Sequence, residues 1–158
     1  MCEGHQFGVA ETVYADVGAV RAALLNVQNF DQFTSVAHSL QALSENEFSG
    51  MGRPLFLREL VSVRLVQGSS VQGSSQDADS IILVLDDGFN LVQYAFKLRS
   101  SGSRQTLVEC QVDCWNKQGT SWVGPSERLA KMMMKHESKL GLRLKGYVEA
   151  GQPSVYVC

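Results

Sequence analysis

The sequence lacks several features that would assign it quickly to a class. No apolar run approaches the ~18 residues of a membrane-spanning helix. Lysine and arginine (14) are outnumbered by aspartate and glutamate (16), so the basic stripe typical of nucleic-acid binding is missing. The first residues, MCEGHQFG, have neither the basic nor the apolar region of a secretory signal. We therefore expect a cytoplasmic protein with no membrane span and no nucleic-acid partner.

Metal-ligating residues are few and scattered. The four cysteines and three histidines show none of the spacings of a zinc site. Cys110 and Cys114 lie on one predicted strand, where a separation of four residues places their Cα atoms ~13 Å apart, too far for a disulfide. We expect reduced thiols that act as small core residues, and neither a metal nor another cofactor.

Recognisable catalytic motifs are also missing. Residues 50–53, GMGR, lack the spacing of a phosphate-binding loop and precede no predicted helix. There is no G-x-S-x-G motif. The sequence alone therefore assigns no catalytic residue.

The composition is that of one ordinary globular domain. The chain has 158 residues, 44% of them hydrophobic and 19% charged, which suits a single domain over residues 1–158. Its core is expected over about residues 7–150, followed by a tail over 151–158. Residues 68–79, GSSVQGSSQDAD, offer little to bury and are predicted to form a mobile loop.

The C-terminal stretch predicts a long amphipathic helix over residues 124–150. Gly124 and Pro125 mark its start, and Gly151 and Pro153 lie beyond its end. Apolar residues recur at steps of three and four, which is the period of a helix with one buried face. The predicted stripe consists of Leu129, Met132, Met133, His136, Leu140, Leu144, Tyr147 and Val148.

Most of the remaining chain predicts strands joined by short turns. Alternation indicates strands at residues 7–14, 36–43, 47–52, 55–67, 80–85, 89–99 and 106–115, with short helices at 17–27 and 30–35. The continuous apolar run 80–85, SIILVL, predicts a strand buried on both faces or nearly so. Asp86-Asp87-Gly88 predicts a hairpin turn. The fold class is therefore α+β, with an antiparallel sheet that the last helix covers.

This order of elements resembles the helix-grip superfamily, which includes START lipid-transfer domains, pollen-allergen-like proteins and polyketide cyclase/dehydratase-like proteins, often grouped as SRPBCC. Two segments show the resemblance most clearly, VYADVGAV at residues 13–20 and NVQNFDQFTSV at residues 26–36. Thr34 stands where many members have proline, and Phe33 where many have tryptophan. The resemblance spans residues 7–150. It implies a curved seven-stranded antiparallel sheet wrapped around the C-terminal helix, two short helices after strand 1, and a deep apolar cavity between helix and sheet.

Arg53 and Glu59 are the charged candidates for a site in that cavity. Both share the parity of the apolar residues in the predicted strand 55–67. Without a bulge they would point towards the helix and orient the polar end of a ligand. With a bulge at Pro54, both would reach solvent. If the cavity exists, Arg53→Leu should weaken the binding of an anionic or carbonyl-bearing ligand and leave the fold intact.

Four further residues complete the predicted ligand-binding set. Tyr94 and Phe96 lie on the inner face of strand 89–99, where the Tyr94 hydroxyl is either a donor inside the pocket or a group at its rim. Met133 suits an irregular pocket and equally an ordinary core. His136 lies on the helix stripe, as a ligand contact or as a hydrogen-bonded core residue.

Three functions fit these expectations. The first is the binding of a small hydrophobic molecule, such as a lipid-, polyketide- or isoprenoid-like compound, driven by apolar burial. The second is an enzyme of the polyketide cyclase/dehydratase type that uses the same cavity. The third is a protein-interaction module with a filled core and an exposed apolar patch. A monomer or a weak homodimer is expected.

Overall fold

The computed structural model describes residues 4–34, 36–53, 60–68, 78–116 and 125–151. For residues 4, 5, 67, 68, 78, 79, 116 and 125–130 it describes the backbone alone. All structural statements below refer to these ranges.

Seven strands form one antiparallel sheet in the order β1-β7-β6-β5-β4-β3-β2. The predicted architecture is therefore confirmed. The strands are β1 (Gly4–Val13), β2 (Ala37–Ala42), β3 (Glu47–Gly52), β4 (Leu60–Gly68), β5 (Ala78–Asp86), β6 (Asn90–Gly102) and β7 (Gln105–Asn116).

Two short helices separate β1 from β2, as predicted. The first is α1 (Val17–Leu25), and the second is a 3₁₀ helix, η1 (Val27–Gln32). Val20, Leu24, Val27 and Phe30 are buried, so both helices contribute apolar side chains to the core. Phe33 and Thr34 follow η1 directly, and their side chains are also buried.

The C-terminal helical stretch has two segments, α2 (Pro125–Glu137) and α3 (Leu140–Ala150), instead of the single helix expected from its periodicity. The interruption falls at Ser138 and Lys139. The Ser138 hydroxyl donates to the Lys135 carbonyl at 3.1 Å, a local bond that competes with the helical pattern. α2 packs on β1 and β7, and α3 packs on β1 and α1.

The stripe of the helix is buried at Met133, Leu140, Leu144 and Val148, as expected. The expectation of a buried His136 is wrong, because this side chain is only half-buried. Its neighbour Glu137 is fully buried and occupies the centre of the stripe. The side chain of Leu129 lies outside the described residues.

Several predicted bounds differ from those observed. The strand predicted over residues 55–67 is described only from Leu60 onward as β4. Most of the predicted loop 68–79 lies outside the described residues, and its margins were wrong, since Gly68 ends β4 and Ala78 begins β5. The hairpin at residues 86–88 is confirmed. Gly88 has φ of 93° there and donates its N–H to the Asp86 carboxylate at 2.8 Å.

Strand β5 is buried on one face only. Ile81, Leu83 and Leu85 are fully buried towards the helices. Ile82 and Val84 point to the opposite, outer face of the sheet and are half-exposed. The sequence predicted that the run SIILVL would be buried on both faces or nearly so. Its outer face is less buried than predicted, because no described residue covers Ile82 and Val84 completely. No helix within the described ranges is long and apolar enough to cross a membrane.

Candidate functional site

A cluster of buried polar side chains interrupts the apolar core between the sheet and the C-terminal helices. Tyr94 and Glu137 are fully buried, and Thr34 is almost fully buried. Glu137 Oε2 accepts a hydrogen bond from the Tyr94 hydroxyl at 2.9 Å and another from Thr34 Oγ1 at 3.0 Å. The two hydroxyl oxygens are themselves 3.0 Å apart. We call Thr34, Tyr94 and Glu137 the polar triangle.

Each member of the polar triangle comes from a different part of the chain. Tyr94 lies near the middle of β6, paired with Leu83 on one side and Val112 on the other, which fixes its side chain on the inner face. Thr34 follows η1, and its backbone N–H donates to the Phe30 carbonyl at 3.0 Å. Glu137 is the last residue of α2. The site therefore depends on the sheet, η1 and the C-terminal helices together.

Arg143 neutralises the other side of the carboxylate. Its Nη1 lies 3.2 Å from Glu137 Oε1 and donates to the Phe33 carbonyl at 3.0 Å, while Nη2 donates to the His136 carbonyl at 2.8 Å. The last contact caps a carbonyl near the end of α2. The side chain of Arg143 is 31% exposed, so the ion pair connects a fully buried carboxylate to the protein surface.

Burial and charge hold the phenol of Tyr94 in its neutral form. Burial raises the pKa of Tyr94 well above its usual value of 10.0, and the nearby Glu137 carboxylate raises it further. A carboxylate beside a phenol disfavours the phenolate because two negative charges would then share one apolar site. The Tyr94 hydroxyl therefore serves as a hydrogen-bond donor at neutral pH.

Two thiols lie on the same inner face. Burial raises the pKa of Cys110 well above its ordinary value and raises that of Cys114 to about 12, with Glu137 adding to both shifts. Cys114 Sγ lies 3.4 Å from Met133 Sδ. Both cysteines are free and buried, which confirms them as small core residues without the thiolate character of a nucleophile.

Aromatic rings surround the phenol of the polar triangle. Phe30 meets Tyr94 edge to face with ring centroids 5.1 Å apart, and Phe96 stacks on its other side at 6.4 Å. Phe33 meets Phe30 edge to face at 5.4 Å. These contacts fix the ring of Tyr94, so the position of its hydroxyl is set by packing as well as by hydrogen bonds.

Three of the six predicted ligand-binding residues lie in the buried core between the sheet and the C-terminal helices. Tyr94, Phe96 and Met133 are all buried there. His136 lies at the margin of the helix stripe, half-buried, with its backbone carbonyl bonded to Arg143. The structure therefore places Tyr94, Phe96 and Met133 in one hydrophobic core, with Phe96 against Tyr94 and Met133 against Cys114, and leaves the His136 side chain at the edge.

The expectation that Arg53 projects inward is wrong. Its side chain is exposed, and its backbone N–H donates to the Val36 carbonyl at 2.9 Å. Arg53 itself lies outside the strands, immediately after β3 ends at Gly52, so strand parity does not fix the direction of its side chain. Glu59, the second charged candidate, lies outside the described residues.

The sequence interpretation missed Glu137 and Thr34. Buried positions on the C-terminal helices run 133, 137, 140, 144 and 148, so Glu137 takes a place that the helical period assigns to the core. A carboxylate at such a position signals a buried polar partner, and this signal was present in the sequence. Thr34 carries no comparable signal, because its role follows from the path of the chain after η1.

The described residues give no support for a metal centre. They contain no group of three or more histidine, cysteine, aspartate or glutamate side chains placed to hold a metal ion. The polar triangle itself supplies only one carboxylate, and Arg143 already neutralises it.

Comparison with known proteins defines the fold. No family model matches the chain, and no curated protein matches it. Several solved structures do match the chain. A START superfamily protein from Mycobacterium smegmatis superimposes with a TM-score of 0.64 at 16% identity, covering 94% of this chain and 99% of the other.

Two enzymes superimpose over a similar extent. Zhui aromatase/cyclase from Streptomyces sp. R1128 gives a TM-score of 0.66 at 11% identity, covering 96% of this chain and 100% of the other. Norcoclaurine synthase from Thalictrum flavum, in complex with dopamine and hydroxybenzaldehyde, gives 0.59 at 6% identity, covering 97% and 91%. The chain therefore has the START-like helix-grip fold, and at these identities the likeness establishes the fold alone.

Proposed function

We infer that the protein binds a small hydrophobic molecule between the sheet and the C-terminal helices, with the polar triangle as its polar anchor. The observation that carries this inference is the fully buried Glu137 with its two hydroxyl donors on an otherwise apolar wall. A buried carboxylate is costly unless it is paired, and replacement by apolar residues is often neutral or stabilising. Its presence here favours a recognition role.

The chemistry of the anchor favours a ligand with a carbonyl or hydroxyl group. Tyr94 and Thr34 both donate to the same oxygen of Glu137. Either hydroxyl can turn its hydrogen towards a ligand carbonyl while Glu137 keeps the hydrogen bond from the other. Phe96 and Met133, both buried beside the triangle, supply apolar contacts. In this proposal His136 lies at the rim. Arg53 is a surface residue rather than a cavity wall, and Glu59 stays an untested candidate.

A polyketide cyclase/dehydratase-type enzyme is the second candidate, and one observation favours it. The Tyr94 phenol and the Glu137 carboxylate meet at 2.9 Å, so a hydrogen-bond donor and a proton acceptor converge. Tyr94 would polarise a substrate carbonyl, and Glu137 would accept a proton from the carbon next to it. Protein-dependent deuterium exchange into the methyl group of 2-acetylnaphthalene, measured by NMR and lost in Glu137→Gln, would support catalysis over binding alone.

A pair of ligands that differ in one carbonyl tests the binding proposal. Displacement of the fluorescent apolar probe N-phenyl-1-naphthylamine reports the affinities of 2-acetylnaphthalene and 2-ethylnaphthalene. Tyr94→Phe should weaken the acetyl compound by about 2- to 10-fold, the worth of one net hydrogen bond. The same variant should leave the ethyl compound unchanged, because the apolar wall is intact.

The matched control is Tyr14→Phe, since the Tyr14 side chain is 57% exposed and lies outside the polar triangle. This variant should bind both compounds as the wild type does. If the probe does not bind to the wild type, or Tyr94→Phe weakens both compounds equally, the polar triangle is a structural element and the proposed anchor is wrong.

A cytoplasmic location and the absence of a nucleic-acid partner remain part of the proposal. Two free, buried thiols and a net charge of −2 support them. Fractionation of the host cells would test the location.

A further inference from the structure

The outer face of the sheet, opposite the helices, carries apolar side chains where an exposed sheet face usually carries polar ones. Ile82 and Val84 of β5 and Leu91 of β6 are only half-buried there, and Val66 of β4 is 41% exposed. Trp115 of β7 is half-exposed on the same face. These apolar residues lie on four neighbouring strands, interspersed with the polar side chains of Arg64, Asp86 and Gln93, a mixed composition that is found in weak interaction surfaces.

Two hollows mark this outer face. The first has a volume of about 370 Å³ and lies over the small residues Gly8, Ala10 and Ala95. The second has a volume of about 390 Å³ and lies near Ser62 and Asp86. Each hollow arises where small or short side chains stand beside larger neighbours.

One outward row of the sheet carries charges of both signs. The register aligns Asp113 of β7, Gln93 of β6, Val84 of β5 and Arg64 of β4 in a single row, which continues to Glu47 of β3 beside Arg64 and to Gln6 of β1 beside Asp113. Asp113 and Arg64 are three strand spacings apart, which is ~14 Å, so they cannot pair within one chain. They lie at equal distances from the line that runs between β5 and β6.

We propose that a second copy of this chain packs against the outer face, related by a two-fold axis parallel to the strands between β5 and β6. Such an axis places β5 over β6 of the second copy, and β4 over its β7. Each row then faces the same row of the other copy. Arg64 of each copy therefore faces Asp113 of the other, and the contact occurs twice because the interface is isologous.

The same operation matches apolar side chains to hollows. In the next row, Ile82 faces Ala95 of the second copy, and Val66 faces Gln111 beside Gly8, so bulky side chains meet the first hollow. At the other end of the face, Trp115 of the second copy approaches Ser62, which lines the second hollow. The Arg64–Asp113 contacts and the two hollows therefore favour this arrangement, although Asp86 would face Leu91 of the second copy at the end of the face.

The size of the face predicts a weak dimer. Four strands spaced ~4.8 Å apart, with four outward positions spaced ~6.7 Å along each strand, give a footprint of roughly 500 Å² per copy. About 1,000 Å² in total lies at the lower limit of specific interfaces. We expect a dissociation constant on the order of 10 µM.

Sedimentation velocity over concentrations that bracket ~10 µM tests the proposal through a charge swap. The wild type should show a reversible monomer–dimer equilibrium. Asp113→Arg and Arg64→Asp should each raise the dissociation constant by about tenfold or more, because like charges would then face each other. The double variant that carries both changes should return to within about threefold of the wild type.

Glu109→Arg is the matched control. Glu109 lies on β7 and on the same outer face as Asp113, but its row places it over Gly68 of the second copy, which carries no charge. This variant should dimerise as the wild type does. The proposal is overturned if the wild type stays monomeric at every concentration. It is also overturned if Glu109→Arg weakens the dimer as much as Asp113→Arg does. A double variant that fails to recover also overturns it. Circular dichroism of each variant verifies the fold.

Discussion

Tyr94 and Glu137 lie 43 residues apart in the chain and meet through a 2.9 Å hydrogen bond inside a fully buried site. One belongs to the centre of the sheet and the other ends the first C-terminal helix, so this bond ties the two layers of the domain together. Arg143 balances the charge from the solvent side. The contact is therefore both a structural link and the chemical centre of the proposed binding site.

The cost of removing Glu137 should depend on what replaces it. Glu137→Ala leaves two buried hydroxyls and the Arg143 guanidinium without their acceptor, and should lower the free energy of unfolding by about 3–5 kcal/mol. Glu137→Gln keeps an oxygen acceptor and should cost about 1–2 kcal/mol. Urea unfolding followed by circular dichroism measures both.

Glu149→Ala provides the comparison for a surface carboxylate. Glu149 pairs with Lys145 at 2.6 Å and accepts the Tyr14 N–H at 2.9 Å, but it is partly exposed, so its loss should cost only about 1 kcal/mol. Equal losses for Glu137→Ala and Glu149→Ala would show that the buried cluster contributes no more than a surface ion pair.

Stability should fall in alkaline solution because of the buried thiols. The pKa of Cys114 is raised in the fold from 9.0 to about 12. An acid with a raised folded pKa keeps its proton longer in the fold than in the unfolded chain, so its stabilising contribution is complete below the unfolded pKa and is lost as the pH rises towards the folded pKa. Above pH 9.0 each such thiol should cost up to ~1.4 kcal/mol per pH unit.

The comparison of Cys114→Ala with the wild type isolates this contribution. Urea unfolding in reducing buffer at about pH 8 and about pH 10 gives the change in free energy for each protein, and the change should be smaller in the variant. Identical changes would mean that Cys114 titrates alike in the folded and unfolded chains.

Two glycines of α3 should respond in opposite directions to alanine. A Cβ at Gly141 would lie 2.9 Å from the Glu11 Cβ on β1, because helix and strand approach closely there. Gly141→Ala should therefore cost about 1–3 kcal/mol. Gly146 has nothing within 4 Å of such an atom, so Gly146→Ala should stabilise the protein by about 0.5–1 kcal/mol. Thermal unfolding of both variants measures these changes in stability. A Gly141→Ala variant more stable than the wild type would contradict the close packing of α3 on β1.

Periodicity predicted the strands and the buried face of the C-terminal helices, but not the break between α2 and α3. The alternation in β7 and the steps of four and three through Met133, Glu137, Leu140 and Leu144 each follow from burial of one face. The resemblance of the element order to the helix-grip superfamily then supplied the topology.

The alternation of side chains along strands and the helical repeat predicted the site less well, since both assume unbroken elements. Arg53 was placed inward by strand parity, but it lies just beyond β3, which ends at Gly52, and its side chain is exposed. The helical period also did not predict the break at Ser138 and Lys139, where the Ser138 hydroxyl donates to the Lys135 carbonyl and Arg143 donates to the His136 carbonyl. Glu137 was overlooked because an apolar stripe was expected, although its position on the stripe was available from the sequence.

Native mass spectrometry of protein purified from its own host is the most direct test of the proposed ligand site. We expect a polypeptide that carries one additional small mass, released by collisional activation or by extraction with an organic solvent. Tyr94→Phe, prepared in the same way, should retain less of that compound than Tyr14→Phe does. A bare polypeptide mass under the gentlest conditions, with equal results for both variants, would contradict a hydrophobic-ligand site anchored by Tyr94 and Glu137.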